Sequence, residues 1–158
     1  MCSLYEWRLS EVYMLTISLL VGSVTGNAQA AAEAMAARLT QRGFSVVLIR
    51  DGRLPEEAGP WLICTSTTGS GDIPDTIWPF YQRLTKGLYL PEQSFAVLAL
   101  GDSAYAHFAQ AGRDIYSALI DCAAKPLADI YCIDAIYETN PSACALEWLE
   151  TWIDKLHA

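Results

Sequence analysis

Short apolar runs alternate along the chain with longer segments in which apolar residues recur every three or four positions. The runs have the length of β-strands and carry little charge, which is typical of parallel strands covered on both faces. The pattern predicts five strands, at residues 14–21, 44–50, 61–66, 95–101 and 128–135.

The longer segments have the spacing of amphipathic helices. In the first, Ala31, Met35 and Leu39 recur at every fourth position, and Gly43 follows as a typical residue beyond a helix C-terminus. In the last, residues 140–141 are Asn-Pro, a favoured N-cap and first-turn pair. Helices are predicted at about residues 28–42, from a start at 75–79 to residue 87, from beyond residue 108 to about 124, and at 141–156.

We interpret this alternation as a β-α unit repeated five times, which predicts an α/β fold with a parallel sheet between two layers of helices. Right-handed crossovers leave few topologies open, and five strands in about 145 residues fit the order 2-1-3-4-5. Ligands bind outside the carboxyl ends of the strands where this order reverses direction, between strands 1 and 3. The loops after strands 1, 3 and 4 are therefore expected to converge on one site.

The first of these loops, residues 22–27, has the sequence GSVTGN and leads into an alanine-rich helix. A helix N-terminus binds anions because its backbone N–H groups lack partners and its dipole is positive there. Gly22 and Gly26 permit close backbone approach, and the hydroxyls of Ser23 and Thr25 can donate to phosphate oxygens. From this loop alone, an ordinary strand-to-helix connection is as good an interpretation as a phosphate loop.

The other two loops favour a planar ligand group. Residues 65–75, TSTTGSGDIPD, supply hydroxyls and glycines but no nucleophile paired with a base. Residues 101–108, GDSAYAHF, contribute Tyr105, whose ring offers a flat apolar surface with a polar tip. Together the three loops predict a ligand with a phosphate at one end and a planar group at the other.

Composition narrows the class of partner. A chain of 158 residues is expected to form a single domain. Its formal net charge of −8 argues against nucleic acid, because lysine and arginine supply most of the affinity for phosphates. Partners with a basic face are expected instead.

Two further features bear on location. The five cysteines form no CxxC pair, so we expect reduced thiols in a cytoplasmic protein. The longest apolar stretch near the N-terminus, residues 15–21, is far shorter than the ~20 residues that span a membrane. Residues 1–13 lack the features of a secretory signal and are interpreted as a dispensable extension before one domain at residues 14–158, with a docking element built on Tyr5 and Trp7 as the alternative.

The three loops closely resemble those of the flavodoxin family, and the resemblance covers residues 14–156. The family's phosphate loop has the form Ser/Thr-x-Thr-Gly-x-Thr, and residues 23–28 here are Ser-Val-Thr-Gly-Asn-Ala. The loop at residues 65–75 is similar to those of MioC-like short flavodoxins and of the FMN domains of diflavin reductases. The resemblance implies a flavodoxin-like three-layer sandwich that binds FMN.

The resemblance also implies a role for individual residues, and it names no catalytic residue and no metal ligand. The FMN phosphate would be held by Ser23, Val24, Thr25, Gly26, Asn27 and Ala28. One side of the flavin ring would be bordered by Ser66, Thr67, Thr68, Gly69 and Gly71, and the other by Leu100, Gly101, Asp102, Tyr105, His107 and Phe108.

Three positions depart from the family pattern. Ala28 replaces the last Thr of the phosphate loop, which removes a hydroxyl contact of ~1 kcal/mol. Thr68 stands where many relatives carry an aromatic ring, so a stack of roughly 0.5 to 1.5 kcal/mol is lost. Ala109 stands where a Cys often follows the Phe. Weaker FMN binding than in a typical flavodoxin is expected.

The function implied is one-electron transfer by FMN, a carrier rather than an enzyme with its own small-molecule substrate. Its expected partners are basic-faced redox proteins, an NADPH-dependent flavodoxin reductase and an acceptor enzyme, and it is expected to be a monomer. A carboxylate ~10 Å from the reduced flavin costs about 1.7 kcal/mol at an effective dielectric of ~20, so Asp72, Asp75 and Asp102 are expected to lower the potential.

Two alternatives belong to other classes. One is a flavodoxin-like interaction module that binds FMN weakly or not at all, which Ala28 and Thr68 favour. The other is a phosphoacceptor signalling domain of the same fold. It needs clustered carboxylates after strands 1 and 3, where this chain has Val-Gly-Ser and Thr-Ser-Thr-Thr.

Overall fold

A computed structural model of the protein describes residues 15–157. The predicted extension at residues 1–13, and Met14 of the predicted first strand, lie outside this range. The strands are β1 (Thr16–Gly22), β2 (Ser45–Ile49), β3 (Trp61–Thr65), β4 (Ser94–Gly101), β5 (Lys125–Pro126) and β6 (Tyr131–Asp134). The helices are α1 (Asn27–Gln41), α2 (Trp78–Thr85), α3 (Gln110–Asp121) and α4 (Pro141–Trp152), followed by a 3-10 turn at Ile153–His157.

The strands form one parallel sheet in the order β2-β1-β3-β4, with β5 and β6 both paired to β4. In the register, Leu19 of β1 lies beside Leu48 of β2 and Leu62 of β3. The predicted flavodoxin-like α/β architecture is confirmed. Its direction reverses between β1 and β3, so the carboxyl ends of β1, β3 and β4 share one edge.

The fifth predicted strand is present but shorter than expected, and a short additional strand precedes it. The strand expected at residues 128–135 is β6 (Tyr131–Asp134), while β5 lies before the predicted range, and each pairs separately with β4. Leu127 N donates to Phe95 O at 2.7 Å and the chain then bends at residues 127–128 before β6 resumes the pairing. Pro126 accompanies the break because it has no N–H for a sheet hydrogen bond.

The expected fivefold repeat has no helix in its second unit. Between β2 and β3, residues 50–60 form a connection without helix, so residues 15–157 contain four α-helices. Gly52 and Gly59 have φ of +73° and +137° there, and Pro55 and Pro60 disrupt helical hydrogen bonding. The count of five helices was wrong, although the sheet order was right.

Each face of the sheet has its own hydrophobic core, because successive side chains of a strand point to opposite faces. On one face Leu19 and Leu62 pack with Met35 of α1 and Trp152 of α4. On the other face the buried residues come from the strands, α2 and α3, and include Leu20, Ile63, Phe80 and Ile115. Both layers fix the sheet, and with it the edge at which the three loops emerge.

The helix boundaries agree with the capping residues. Asn140 Oδ1 accepts a hydrogen bond from Ala143 N at 3.1 Å, which confirms the predicted N-cap of α4. Pro79 lies in the first turn of α2, as predicted. Gly43 follows α1 with φ of +92°, a conformation that glycine adopts without strain. No helix within residues 15–157 is long and apolar enough to cross a membrane.

Candidate functional site

The loops after β1 and β3 are joined by Ser66. Its backbone N–H donates to Gly22 O at 2.8 Å, and its hydroxyl accepts from Val24 N at 3.2 Å. Gly22 has no room for a side chain, since a Cβ there would lie 2.5 Å from both Ile77 Cγ2 and Thr65 Oγ1. The first loop is therefore anchored to the second at its start and leaves the sheet at a fixed point.

The first loop ends in a helix N-terminus suited to an anion. Gly26 occupies the N-cap of α1 with φ of +94°, no side chain among the described residues caps the helix, and its first turn holds no acidic residue. The Ser23 hydroxyl accepts from Gly26 N at 3.0 Å, and Thr76 Oγ1 accepts from Ser23 N at 3.2 Å. Hydroxyls and amides thus surround the positive end of the helix dipole, the chemistry that binds phosphate.

The second loop is a turn closed on Thr68. Thr68 O accepts from Gly71 N at 2.9 Å, Thr68 Oγ1 accepts from Asp72 N at 2.9 Å, and Thr68 N donates to Asp72 O at 3.1 Å. Gly71 has φ of +89°, and a Cβ there would lie 2.6 Å from His107 Cβ. The second loop therefore packs directly against the third.

The third loop is held at both of its ends. A Cβ on Gly101 would lie 2.6 Å from Ala109 N, so the start and the end of the loop approach each other closely. Ala109 itself has φ of +55°, an unusual conformation for a residue other than glycine, asparagine or aspartate. Thr67 Oγ1 accepts from Ala111 N at 3.2 Å and thereby ties the second loop to the first turn of α3.

A carboxylate from β6 also holds the third loop. Asp134 Oδ1 accepts from Ser103 N and from Ile136 N, each at 3.1 Å. The hydrogen bond from the Ser103 side chain, together with those from the two backbone amides, holds the pKa of Asp134 below its usual value. The carboxylate is therefore ionised at neutral pH.

A cleft of about 250 Å³ opens between these loops. It brings together eleven of the seventeen predicted residues: Thr25, Asn27, Ser66, Thr67, Thr68, Gly69, Leu100, Gly101, Asp102, Tyr105 and His107. Six predicted residues do not line it: Ser23, Val24, Gly26, Ala28, Gly71 and Phe108. Four others complete it, Ala109, Ile133, Ala135 and Pro141, of which the last three belong to a fourth wall formed by β6 and the start of α4.

Sequence reasoning missed this fourth wall, together with Thr76 and Asp134. The expected site consisted of three loops, and the loop after the last strand carries no glycine-rich or hydroxyl-rich signal. The N-cap pair at residues 140–141 was the available clue, since it places the start of the last helix at the same edge.

Tyr105 lines the cleft, whereas Ala28 lies in the core. Tyr105 is 56% exposed, and a Cβ on Gly69 would lie 3.7 Å from Tyr105 Cε1, so ring and glycine face each other. Ala28 is fully buried in the core, and its carbonyl accepts from Cys64 Sγ at 3.3 Å. Burial raises the pKa of that thiol to about 12, so Cys64 is a core residue rather than a reactive group.

A larger cleft of about 680 Å³ lies at the opposite edge of the sheet. Its lining includes Leu15, Pro60 and Ser94, which precede or begin β1, β3 and β4. None of its lining residues belongs to the three loops. The candidate site is therefore the smaller cleft, where the three loops meet.

Comparison with known proteins places this arrangement in a family. The family model described as Flavodoxin matches residues 19–148. The chain belongs to the flavodoxin family. The flavodoxin YqcA of Pectobacterium carotovorum is 37% identical over 150 residues, which cover 92% of this chain and 99% of that protein. The protein MioC of Escherichia coli K12 is 33% identical over 149 residues, covering 90% of this chain and 99% of MioC.

A solved structure agrees. A cysteine-to-serine mutant of flavodoxin from Pseudomonas aeruginosa superposes with a TM-score of 0.82 at 25% identity, covering 91% of this chain and all of that one. The predicted flavodoxin resemblance and FMN as cofactor are confirmed, and the protein is an FMN-binding, flavodoxin-like electron carrier. The cleft fits that cofactor, since an uncapped helix N-terminus lies at one end and the Tyr105 ring lies in its wall.

Proposed function

We propose that FMN lies along this cleft with its phosphate at the N-terminus of α1 and its ring between residues 66–71 and 100–108. The proposal rests on the convergence of the loops after β1, β3 and β4 on one cleft. The end of the cleft proposed for the phosphate has amide and hydroxyl donors, and the first turn of α1 holds no acidic residue. An anion placed there gains from the dipole and the amides without repulsion from a nearby carboxylate in that turn.

The six predicted residues outside the cleft lining have other parts in this proposal. Ser23, Val24 and Gly26 shape the phosphate loop, because their backbone N–H groups donate to Thr76 Oγ1, Ser66 Oγ and Ser23 Oγ. Ala28 offers its backbone N–H from the first turn of α1, so its buried methyl group is compatible with the loop. Gly71 and Phe108 support the ring walls, Gly71 through its close approach to His107. The phosphate end therefore depends on backbone geometry more than on side-chain identity.

When bound, FMN supplies the one-electron redox chemistry. The chain's part is to orient the ring and to set its surroundings. Tyr105 covers one face of the ring. The other face lies against Thr68, which is not aromatic and whose hydroxyl accepts a hydrogen bond from Asp72 N. The protein thus binds FMN with one aromatic stack of roughly 0.5 to 1.5 kcal/mol where many relatives have two.

Uptake of flavin tests the assignment. Ligand-free protein is titrated with FMN and with riboflavin, which lacks the phosphate, and flavin fluorescence and absorbance are followed. Binding of FMN at micromolar concentration, tighter than that of riboflavin, is expected. Failure to take up FMN would overturn the proposal in favour of the interaction-module alternative. Equal affinity for the two flavins would show that the phosphate does not bind at the N-terminus of α1.

We propose further that basic-faced redox partners, a reductase and an acceptor enzyme, dock around this cleft. The net charge of −8 and the acidic residues Asp72, Asp75 and Asp102 in the second and third loops support a basic partner. Exposed apolar residues lie in loops at the same edge, among them Tyr137 at 78% and Val24 at 58%. Acidic residues around an apolar patch steer a complementary partner and fix its orientation.

A charge reversal with a matched control tests the docking surface. Asp75→Lys changes the net charge by two beside the cleft, and Asp154→Lys makes the same change beside the far cleft. Stopped-flow reduction of the FMN-loaded protein by an NADPH-dependent flavodoxin reductase is followed across salt concentrations. Asp75→Lys is expected to slow the bimolecular rate and to flatten its salt dependence. An equal effect of Asp154→Lys would show that net charge alone sets the rate, and it would overturn the proposed docking surface.

We also propose that the protein acts as a cytoplasmic monomer of one domain. Cys64, Cys122, Cys132 and Cys144 are free thiols, which supports a reducing compartment. Light scattering of the FMN-loaded protein tests the oligomeric state, and a stable dimer would contradict it.

A further inference from the structure

We propose that Asp134 is a positioning residue: its carboxylate sets the conformation of the loop that carries Tyr105 and thereby the affinity for the flavin ring. This inference rests on the proposed placement of FMN. Asp134 ends β6 and lies beside Gly101, the last residue of β4, in the register of the sheet. Its carboxylate is therefore placed where the third loop leaves the sheet.

The other hydrogen bonds of this part of the loop are local. Asp102 Oδ1 accepts from Ala104 N at 2.8 Å, and Asp102 O accepts from Tyr105 N at 3.0 Å. These bonds shape the turn but do not fix it relative to the rest of the site. The bond from Ser103 N to Asp134 Oδ1 joins the turn to a different strand, 31 residues further along the chain.

The same oxygen holds the fourth wall. Asp134 Oδ1 accepts from Ile136 N at 3.1 Å, while Asp134 O accepts from Tyr137 N at 3.2 Å and Glu138 N at 3.0 Å. Between them lies Ala135, which lines the cleft. Beside the backbone bond from Ala135 N to Gly101 O at 2.8 Å, this carboxyl oxygen couples the Tyr105 loop to the wall built by β6.

A carboxylate suits this position because all the groups that it joins are donors: the backbone N–H groups of Ser103 and Ile136 and the Ser103 hydroxyl. An ionised carboxylate only accepts hydrogen bonds, and its bonds to N–H groups are about twice as strong as those between neutral groups. An amide at this position keeps one acceptor oxygen without the charge, and alanine keeps none. A graded series of variants follows from this chemistry.

The test uses the full chain and both flavins. Asp134→Ala is expected to weaken FMN binding about tenfold, and Asp134→Asn by less, because hydrogen bonds to charged groups contribute more than those to neutral ones. Riboflavin affinity is expected to fall by the same factor as FMN affinity, since the defect lies at the ring. Asp129→Asn is the matched control, because Asp129 is an exposed aspartate just before β6, and it is expected to leave both affinities unchanged.

Combination with Tyr105→Ala separates positioning from general damage. If Asp134 acts through Tyr105, then Asp134→Ala is expected to weaken binding by less than about twofold once the ring is absent. Equal losses in both backgrounds would overturn the inference. Should Asp134→Ala fail to fold, amide hydrogen exchange in ligand-free Asp134→Asn decides: faster exchange at Ser103 and Ile136 supports the inference, and unchanged exchange refutes it.

The proposed function and this inference fail differently. Absence of FMN binding by the unaltered protein would remove the proposed function. Normal FMN binding by the unaltered protein, with the same affinity in Asp134→Ala, would remove the positioning role alone.

Discussion

Gly26→Ala tests the phosphate end of the cleft through backbone conformation alone. Gly26 has φ of +94°, and a Cβ added there would have no atom of residues 15–157 within 4 Å beyond its chain neighbours, so the new methyl group clashes with none of them. The cost comes from the left-handed conformation, which is about 1 to 2 kcal/mol for an L-residue other than glycine. No lost packing needs to be subtracted from the result.

The same helix supplies the control. Gly43, beyond the C-terminus of α1, has φ of +92°, and a Cβ added there likewise has no atom within 4 Å in the part of the chain that the structure describes. Gly43→Ala is therefore expected to lose about 1 to 2 kcal/mol of unfolding free energy, or about 2 to 8 °C in melting temperature for a domain of this size. Gly26→Ala is expected to lose less, because strain that the ligand-free loop escapes by relaxing does not lower the stability of the ligand-free protein. Scanning calorimetry of the ligand-free proteins measures this.

Only Gly26→Ala is expected to affect the cofactor. If the ligand-free loop relaxes to escape the strain, FMN must restore the original geometry on binding, and the affinity falls about 5- to 30-fold. Riboflavin affinity is expected to change by less than about twofold, because riboflavin has no phosphate to place there, and Gly43→Ala should leave both affinities within the same range.

Fluorescence titration of the three proteins with the two flavins gives six affinities that decide the matter. Equal FMN losses in Gly26→Ala and Gly43→Ala would show that the effect follows stability and not the phosphate loop. Unchanged FMN affinity in Gly26→Ala, together with an unchanged melting temperature, would show that the loop relaxes without any effect on FMN binding and would refute the assignment of the first loop. An equal loss of riboflavin affinity would show that the substitution acts on binding of the flavin ring rather than of the phosphate.

Other predictions address the ring, the N-terminus and the acid side of the pH range. Tyr105→Ala is expected to weaken FMN binding about 2- to 13-fold, the range for a lost aromatic stack, whereas Tyr105→Phe keeps the ring and most of the affinity. If titration gives equal affinities for the unaltered protein and both variants, Tyr105 does not belong to the site. Deletion of residues 1–13 is expected to leave FMN affinity and melting temperature unchanged, and a large fall in melting temperature would show that this segment packs. The hydrogen bond from Arg38, with the charge of Arg42, lowers the pKa of Glu150 below its usual 4.5. The stability that this ion pair contributes is present above pH 4.5 and is lost as the pH falls through the lower pKa of Glu150 in the folded protein. Glu150→Gln is therefore expected to flatten the decline of melting temperature in acid. A melting-temperature profile below pH 4.5 that is the same in both proteins would contradict the role of the ion pair.

The sheet order and most of the cleft lining follow from local features of the sequence. Buried parallel strands carry apolar runs, and their carboxyl-end loops carry the small and hydroxyl residues that a ligand needs, so the three loops could be recognised and brought to one edge. Thr25, Thr68 and Tyr105 do line the cleft. Their assignment as FMN ligands stays a prediction.

The parts that could not be predicted depend on partners far apart in the chain. The short strand β5 and the bend after Pro126 were not predicted, because a two-residue strand leaves no apolar run in the sequence. The contact between Asp134 and Ser103 exists only once β6 lies beside β4. Likewise the hydroxyl of Thr76 reaches Ser23 N across 53 residues, and no spacing rule connects them.

The interruption between β5 and β6 also governs how the molecule behaves beside copies of itself. An exposed, continuous edge strand offers its free N–H and C=O groups to a second chain and so invites aggregation. Here that edge holds a two-residue strand of Lys125 and Pro126, both exposed, followed by a bend. Charge, a missing N–H group and a broken register each oppose strand addition. This edge can therefore stay open to solvent at high concentrations of protein without recruiting another sheet.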